Sequence, residues 1–289
     1  MPDPGKSGRQ LAEDYGYAYS FLKSDKSLWA KFLEAVKGNW TAQKFQAEVK
    51  TTAWYKKNAD SVRAYQYLKT TNPGEFAAQK IALKAQLQDK AAALGATISS
   101  VTLARLTDNA MKYGWNESQI QNTLADYVRV TNGVYKGSTG NDIESVRQTA
   151  YRNGVKISKA TENGWAHAIA AGSITAESLQ RQVRQMAKSL APGYAQELDA
   201  GMDLQDIVSP YIESKAKILE MNPADIDLFD NDIRKAVSGV GKDGKPASKT
   251  LWQFEQEMRQ DPRWLKTQNS QDSLMSVGHS VLKDMGFKT

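Results

Sequence analysis

Five times along the chain a small polar residue is followed by apolar residues four and eight positions later. The sets are Thr41, Phe45, Val49; Asn116, Ile120, Leu124; Thr175, Leu179, Val183; Asp203, Ile207, Tyr211; and Thr250, Phe254, Met258. In the first four the residue before the polar one is also apolar: Trp40, Trp115, Ile174 and Met202. A side-chain oxygen at an N-cap accepts from an orphan helix N–H, and an apolar residue just before it packs on the fourth helical residue. The pattern therefore predicts five helix starts and the angle at which the chain enters each. The intervals between the starts are unequal, which excludes a solenoid, whose period is nearly constant.

The remaining periodicity fills in further helices. From Leu11 the spacing of Tyr15, Tyr19 and Leu22 is helical, and Ser24 is placed to cap a stripe of Leu28, Trp29, Phe32, Leu33 and Val36 that Gly38 ends. The helix begun by Thr41 is expected to reach about Tyr55, and Asn58 to cap the next through Val62, Tyr65 and Leu68. Asn72-Pro73 opens an Ala-rich helix from Gly74 to Leu94, closed by Gly95; proline fits a first turn, where its missing N–H is no loss. Ile98-Ser99 starts a helix to Tyr113-Gly114, and Trp115-Asn116 one to about Val130. Further helices are predicted over Asp142–Asn153, Ser158–Ala171, Thr175–Leu190, Asp203–Met221, Asp230–Ser238, Thr250–Arg259 and Thr267–Met285, with Gly286 as the last cap. Sustained alternation is absent; Gly133-Val134-Tyr135 and Ser238-Gly239-Val240 suffice only for tiny hairpins. The expected fold is all-α, a multi-helix array of short to medium capped helices with at most a tiny β ribbon in the loops. Its organisation reads as a polar tail (1–10), an N-terminal helical domain (11–130), a glycine-bearing loop (131–141) and a C-terminal helical domain (142–289).

Composition narrows the chemistry. With no cysteine in 289 residues, disulfides, zinc-thiolate sites and thiol nucleophiles are excluded together. No window approaches the roughly 20 apolar residues of a membrane helix, and no apolar stretch follows the N-terminus as in a secretory signal. The net charge of +6 is uneven: residues 1–100 hold 15 Lys+Arg against 9 Asp+Glu, whereas residues 201–289 hold 12 against 14. The basic third could face DNA or an acidic partner, or it could be a lysine-rich solvated surface.

Candidate sites each have a plain structural reading. Neither His167 nor His279 has a carboxylate or second histidine at i+4, so no zinc helix is expected. Asp225, Asp227, Asp230 and Asp232 are dense in oxygen but lack the glycine and closing glutamate of a calcium loop, and capping explains them. Gly241-Lys-Asp-Gly-Lys-Pro246 lacks the spacing and the preceding strand of a phosphate loop. The basic-aromatic stretch of Trp54, Lys56, Lys57, Arg63, Tyr65 and Lys69 carries more weight, since aromatics stack on bases while lysine and arginine neutralise phosphates. Its helical spacing also fits a core face with a snorkelling rim. Seven tryptophans stand mostly beside helix junctions, where they pin one helix to the next or anchor a subunit interface.

Tyr15-Gly-Tyr-Ala-Tyr-Ser-Phe-Leu-Lys-Ser-Asp25, Gly38-Asn-Trp-Thr41 and Trp54-Tyr-Lys56 resemble a helical protein family of actinobacteriophages. So do Arg63 to Pro73, Ala200-Gly-Met-Asp203, Ser209-Pro-Tyr211, Asp227-Leu-Phe-Asp230, Phe254 to Trp264, Thr267-Gln-Asn-Ser-Gln-Asp272 and Val281-Leu-Lys-Asp-Met-Gly286. Members of that family are virion structural proteins, often labelled minor tail proteins, with no established mechanism. The resemblance implies a particle component made in the host cytoplasm, at the tail, the head–tail connection or inside the capsid. It brings no catalytic residue, cofactor, metal or small-molecule substrate. The partners expected are other virion proteins and copies of the chain itself. A second reading is a DNA-contacting internal protein ejected with the genome, and a third, a cell-wall hydrolase, lacks a paired-carboxylate signature.

Overall fold

Helix caps set the architecture. The structure, a computed structural model, describes residues 5–239 and 247–285, and these form seventeen α-helices without a strand. The β content among them is two isolated bridges, Ala96 with Val128 and Thr131 with Val134. The chain is all-α, as its periodicity predicts. It divides into two compact units, Met1–Ser138 with Ala170–Gly172, and Thr139–Ile169 with Ser173–Thr289.

The first unit holds α1 (Gly8–Asp14), α2 (Tyr19–Lys23), α3 (Lys26–Lys37), α4 (Ala42–Val49), α5 (Ala53–Lys57), α6 (Asp60–Thr71), α7 (Pro73–Leu94), α8 (Ser100–Tyr113) and α9 (Glu117–Ala125). Its helices enclose two clusters. Tyr15, Phe21, Phe32, Phe45 and Trp54 form an aromatic one, with Tyr15 and Phe45 centroids 4.7 Å apart and Phe21 edge-on to Trp54 at 5.2 Å. Leu87, Ala91, Leu103, Leu106, Ile120 and Leu124 form an aliphatic one across α7, α8 and α9. Trp40 packs on the first cluster, which holds Phe45, and Trp115 on the second, which holds Ile120.

The second unit holds most of α10 (Gly137–Arg152) and α11 (Lys159–Ala170), then α12 (Ala176–Leu190), α13 (Ala195–Asp199), α14 (Leu204–Leu219), α15 (Asn231–Val237), α16 (Leu251–Gln260) and α17 (Gln268–Asp284). At its centre α14 packs on α15 and α16, burying Val208, Ile233, Ala236 and Phe254, with the Tyr211 and Phe254 rings 5.4 Å apart. Lys215, also on α14, is fully buried, and its ammonium donates at 2.7 Å to both carboxylate oxygens of Asp230 and to Asp232. Among the described residues no helix is long and apolar enough to cross a membrane.

Four of the five predicted caps bind as expected: Thr41, Asn116, Thr175 and Thr250 each accept from the backbone N–H three residues on. Asp203 does not. Its carboxylate is drawn away to Asn153 Nδ2 at 2.8 Å, Arg152 at 2.8 Å and Arg184 at 3.3 Å, and the buried Asn153 carbonyl oxygen accepts from Leu204 N–H in its place. Met202 is correspondingly exposed and staples nothing.

Several boundaries differ from expectation. The helix placed after Ser24 is capped by Asp25, whose carboxylate reaches the N–H groups of both Ser27 and Leu28. The helix from Thr41 stops at Val49, because Thr52 starts a new one by accepting from Tyr55 N–H. Asn58 closes α5 by donating to Trp54 O rather than opening α6, whose N-cap Ala59 makes no side-chain bond. Helix α1 begins inside the expected polar tail, where Ser7 and Gln10 form a capping box. Helix α9 ends at Ala125, short of Val130, and α10 begins at Gly137, inside the segment expected to be loop. Gly137 sits at φ 63°, and an added Cβ would lie 2.4 Å from Gly95 N, so this glycine serves a close backbone approach and not a flexible loop. A second loop, expected over Val240–Lys249 from its glycines, lysines and proline, lies in its Val240–Pro246 part outside the described residues, as does Gly286.

A candidate cleft in the first unit

The predicted basic-aromatic stretch folds into α5, a tight junction and α6, and the junction decides which side chains stay available. Trp54 is drawn into the aromatic cluster and is 8% exposed; its N–H donates to Ser27 Oγ at 3.1 Å and its indole Nε1 to Gln66 Oε1 at 2.6 Å. These bonds fasten the first turn of α3 to α5 and α6. Arg63 is consumed locally. Its guanidinium stacks 3.8 Å from the Tyr55 ring centroid, donates to the carbonyls of Tyr55 and Asn58, and pairs with Asp60. Tyr65 lies edge-on to Phe76 at 5.1 Å, and Lys56 is exposed on the surface nearby.

What α5 and α6 leave open is a cleft of about 620 Å³, walled by Lys57 and the cap residue Asn58 at the end of α5, Lys69 and Thr70 from α6, Ser24 from the turn before α3 and Lys26 from its first position. Trp54 forms part of its floor. Lys26 and Lys57 are exposed and have no hydrogen-bond or ion-pair partner among the described residues, while Lys69 rests 5.9 Å above the Tyr65 ring. Asp25 also lines the cleft. Burial works against its carboxylate, but bonds from Ser27 and Leu28 and the charge of Lys57 outweigh it, holding its pKa below the ordinary value. That carboxylate already accepts three hydrogen bonds.

A second cleft of about 470 Å³ is lined by Arg9, Glu13, Tyr17, Tyr19, Ser20 and Tyr67. It meets the first across one contact, Ser20 Oγ donating to Thr70 O at 3.1 Å. Tyr67 exposes 39% of its surface there and stands edge-on to Tyr17 at 6.4 Å. Burial, with Tyr67 and Tyr55 close by, raises the Tyr17 pKa, so this phenol stays neutral at physiological pH.

Of the six residues singled out in the sequence, Trp54, Lys57 and Lys69 are thus brought together, whereas Lys56, Arg63 and Tyr65 do not line the cleft. Tyr67 belongs to the same basic-aromatic stretch, but Lys26 and the rest of the tyrosine cleft, Arg9 to Ser20, were not foreseen; they arrive through packing from segments about 30 to 60 residues away, with no local signal.

The other candidates resolve differently. Asp230 caps α15, Asp227 accepts from Phe229 N–H, and Asp230 and Asp232 neutralise Lys215. Among the described residues no group of three or more acidic or histidine side chains is placed to hold a metal. Gly241 to Pro246 lie outside the described residues. No protein-family model, curated protein or solved structure matches the chain.

Proposed function

We propose that the chain is a structural component of a bacteriophage virion, at the tail, the head–tail connection or inside the capsid, acting through protein–protein contacts and catalysing no reaction. The observation that supports this reading is helix α17. Its first turn is bolted down: Thr267 caps it, Glu220 accepts from the N–H groups of Gln268 and Asn269 at 2.9 and 2.7 Å, and Asn269 donates to Lys217 O. Beyond the buried Ser270 every residue from Gln271 to Met285 is exposed. Leu274, Met275, Val277, Val281, Leu282 and Met285 nevertheless fall on one face at helical spacing. An apolar face of this length on a rigid root marks an interaction surface.

The occupant is a second copy of the chain. Gly278 lies within the stripe with open space around the position its Cβ would take, so the stripe's own side chains have room to pack there from a second copy. Such self-complementarity is what an isologous contact requires. The charged side chains on the exposed part of α17 are Asp272, Lys283 and Asp284, so two copies meet without strong repulsion. Sedimentation velocity at micromolar concentration is expected to show a dimer or larger species, and L274D/V281D to be monomeric with an unchanged circular dichroism spectrum. A monomeric wild type would remove self-association. Particle location is tested separately, by mass spectrometry of gradient-purified virions, and absence of the chain from them would defeat the virion reading.

A further inference from the structure

We infer that the two clefts of the first unit form one binding site for single-stranded nucleic acid, with Lys26, Lys57 and Lys69 on backbone phosphates and Tyr67 stacked against a base. This goes beyond the assembly role and rests on different residues. Three lysines line one opening; Lys26 and Lys57 are in no ion pair or side-chain hydrogen bond among the described residues, although Lys57 lies in the field of the Asp25 carboxylate. The Asp25 carboxylate at the same opening is bonded through one oxygen by Ser27 and Leu28 and stays ionised, so the opening sets three lysine charges against one carboxylate. Arg9, which lines the tyrosine cleft together with Glu13, likewise has no ion-pair partner among the described residues.

Phosphates on lysines with bases on aromatics is the division of labour by which single strands are held without sequence preference. The two halves adjoin where Ser20, from the tyrosine cleft, donates to Thr70 O in the lysine cleft. The tyrosine surface argues for an unpaired base over the alternatives. An acidic peptide would use the lysines but gain nothing from a recessed aromatic cleft. Bases stacked within a duplex present no free face to Tyr67.

Fluorescence anisotropy with labelled oligothymidylate over a series of salt concentrations tests this. The wild type is expected to bind, with log K falling linearly against log salt. In K26Q/K57Q/K69Q the slope should shrink by about 2, since each phosphate contact on a single strand contributes about 0.7. Y67A should weaken binding roughly tenfold while leaving the slope unchanged, as loss of a stacking platform does. The three lysine side chains are exposed, so the triple variant should keep the wild-type circular dichroism spectrum and melting temperature. Tyr67 also packs edge-on to Phe21 at 5.1 Å, so Y67A should melt lower yet keep the wild-type spectrum at the temperature of the binding assay. K84Q/K159Q/K266Q, three exposed lysines outside both clefts, should leave the slope near that of the wild type. The proposal is overturned by failure of the wild type to bind. It is overturned equally if the control triple lowers the slope as much as the cleft triple, or if a duplex or polyglutamate binds as tightly as the single strand.

Discussion

Replacing Lys215 by methionine is expected to destabilise the protein by about 3–5 kcal/mol, the usual cost of removing one partner from a buried ion pair. Lys215 is fully buried on α14, and its ammonium holds Asp230 and Asp232, each about a quarter exposed, at 2.7 Å. Methionine fills nearly the same volume but leaves two carboxylates facing one another, with only Asp232 still paired, to Arg263 at 3.0 Å. The discriminating variant is K215M/D230N/D232N. Asparagine still caps α15, and no charge is stranded, so most of the lost stability should return. Urea unfolding followed by circular dichroism separates the two variants, and equal losses would show that packing rather than charge holds this site. The same cluster sets an acid limit. Desolvation raises the Asp232 pKa, but Lys215 and Arg263 outweigh it and lower it, and Arg263 holds Asp261 down to about 2. A carboxylate whose pKa is lower in the folded state stabilises fully above its unfolded value near 4 and less as pH falls through the folded one. Stability should therefore decline from about pH 4 towards pH 2, and more gently in the triple variant.

Lys215 also shows where sequence reading stops. Within Ser-Lys-Ala-Lys it looks like any solvated helical lysine, and lysine is almost never fully buried. The capping role of Asp230 was legible, because a cap and the N–H groups it satisfies are two or three residues apart. The cation that joins Asp230 to Asp232 was not, since it lies fifteen residues upstream on another helix.

The same distinction between local and distant partners runs through the fold. Thr41, Asn116, Thr175 and Thr250 were readable as helix starts because the cap bond is local. Asp203 has the same local pattern, yet Asn153, fifty residues away, and two arginines compete for its oxygens and win. Ser24 and Asn58 failed for a smaller reason. Each stands beside a turn where another group, the Asp25 carboxylate or the Trp54 carbonyl, offers better geometry. In the cleft, Trp54, Lys57 and Lys69 were visible as a basic-aromatic stretch, but Arg63 was indistinguishable from its neighbours until the α5–α6 junction turned it onto Tyr55 and Asp60. Which cations remain free is a property of tertiary pairing, and no helical wheel displays it.

Substituting alanine for Gly95 should be the most damaging single-methyl addition in the first unit, costing more than about 3 kcal/mol where an ordinary left-handed glycine costs about 1 kcal/mol. Gly95 ends α7 at φ 80°, and an added Cβ would fall 1.9 Å from Lys136 O and 2.3 Å from its carbonyl carbon. The crossing is reciprocal, because a Cβ on Gly137 would lie 2.5 Å from Ala93 O. Both obstacles are backbone, so neither can rotate aside; the segment leading into α10 would have to withdraw from the end of α7. Gly133 supplies the control. It has nearly the same φ, 79°, but nothing within 4 Å of the position its Cβ would take. G133A therefore isolates the conformational cost, and the excess in G95A measures the close approach. Thermal melting of the two variants should show G95A several degrees below G133A, since 1 kcal/mol shifts the midpoint of a chain of this size by about 2–4 °C. Equal midpoints would mean that the backbones do not meet at this point, and with that the reason for a helix starting at Gly137 would be lost.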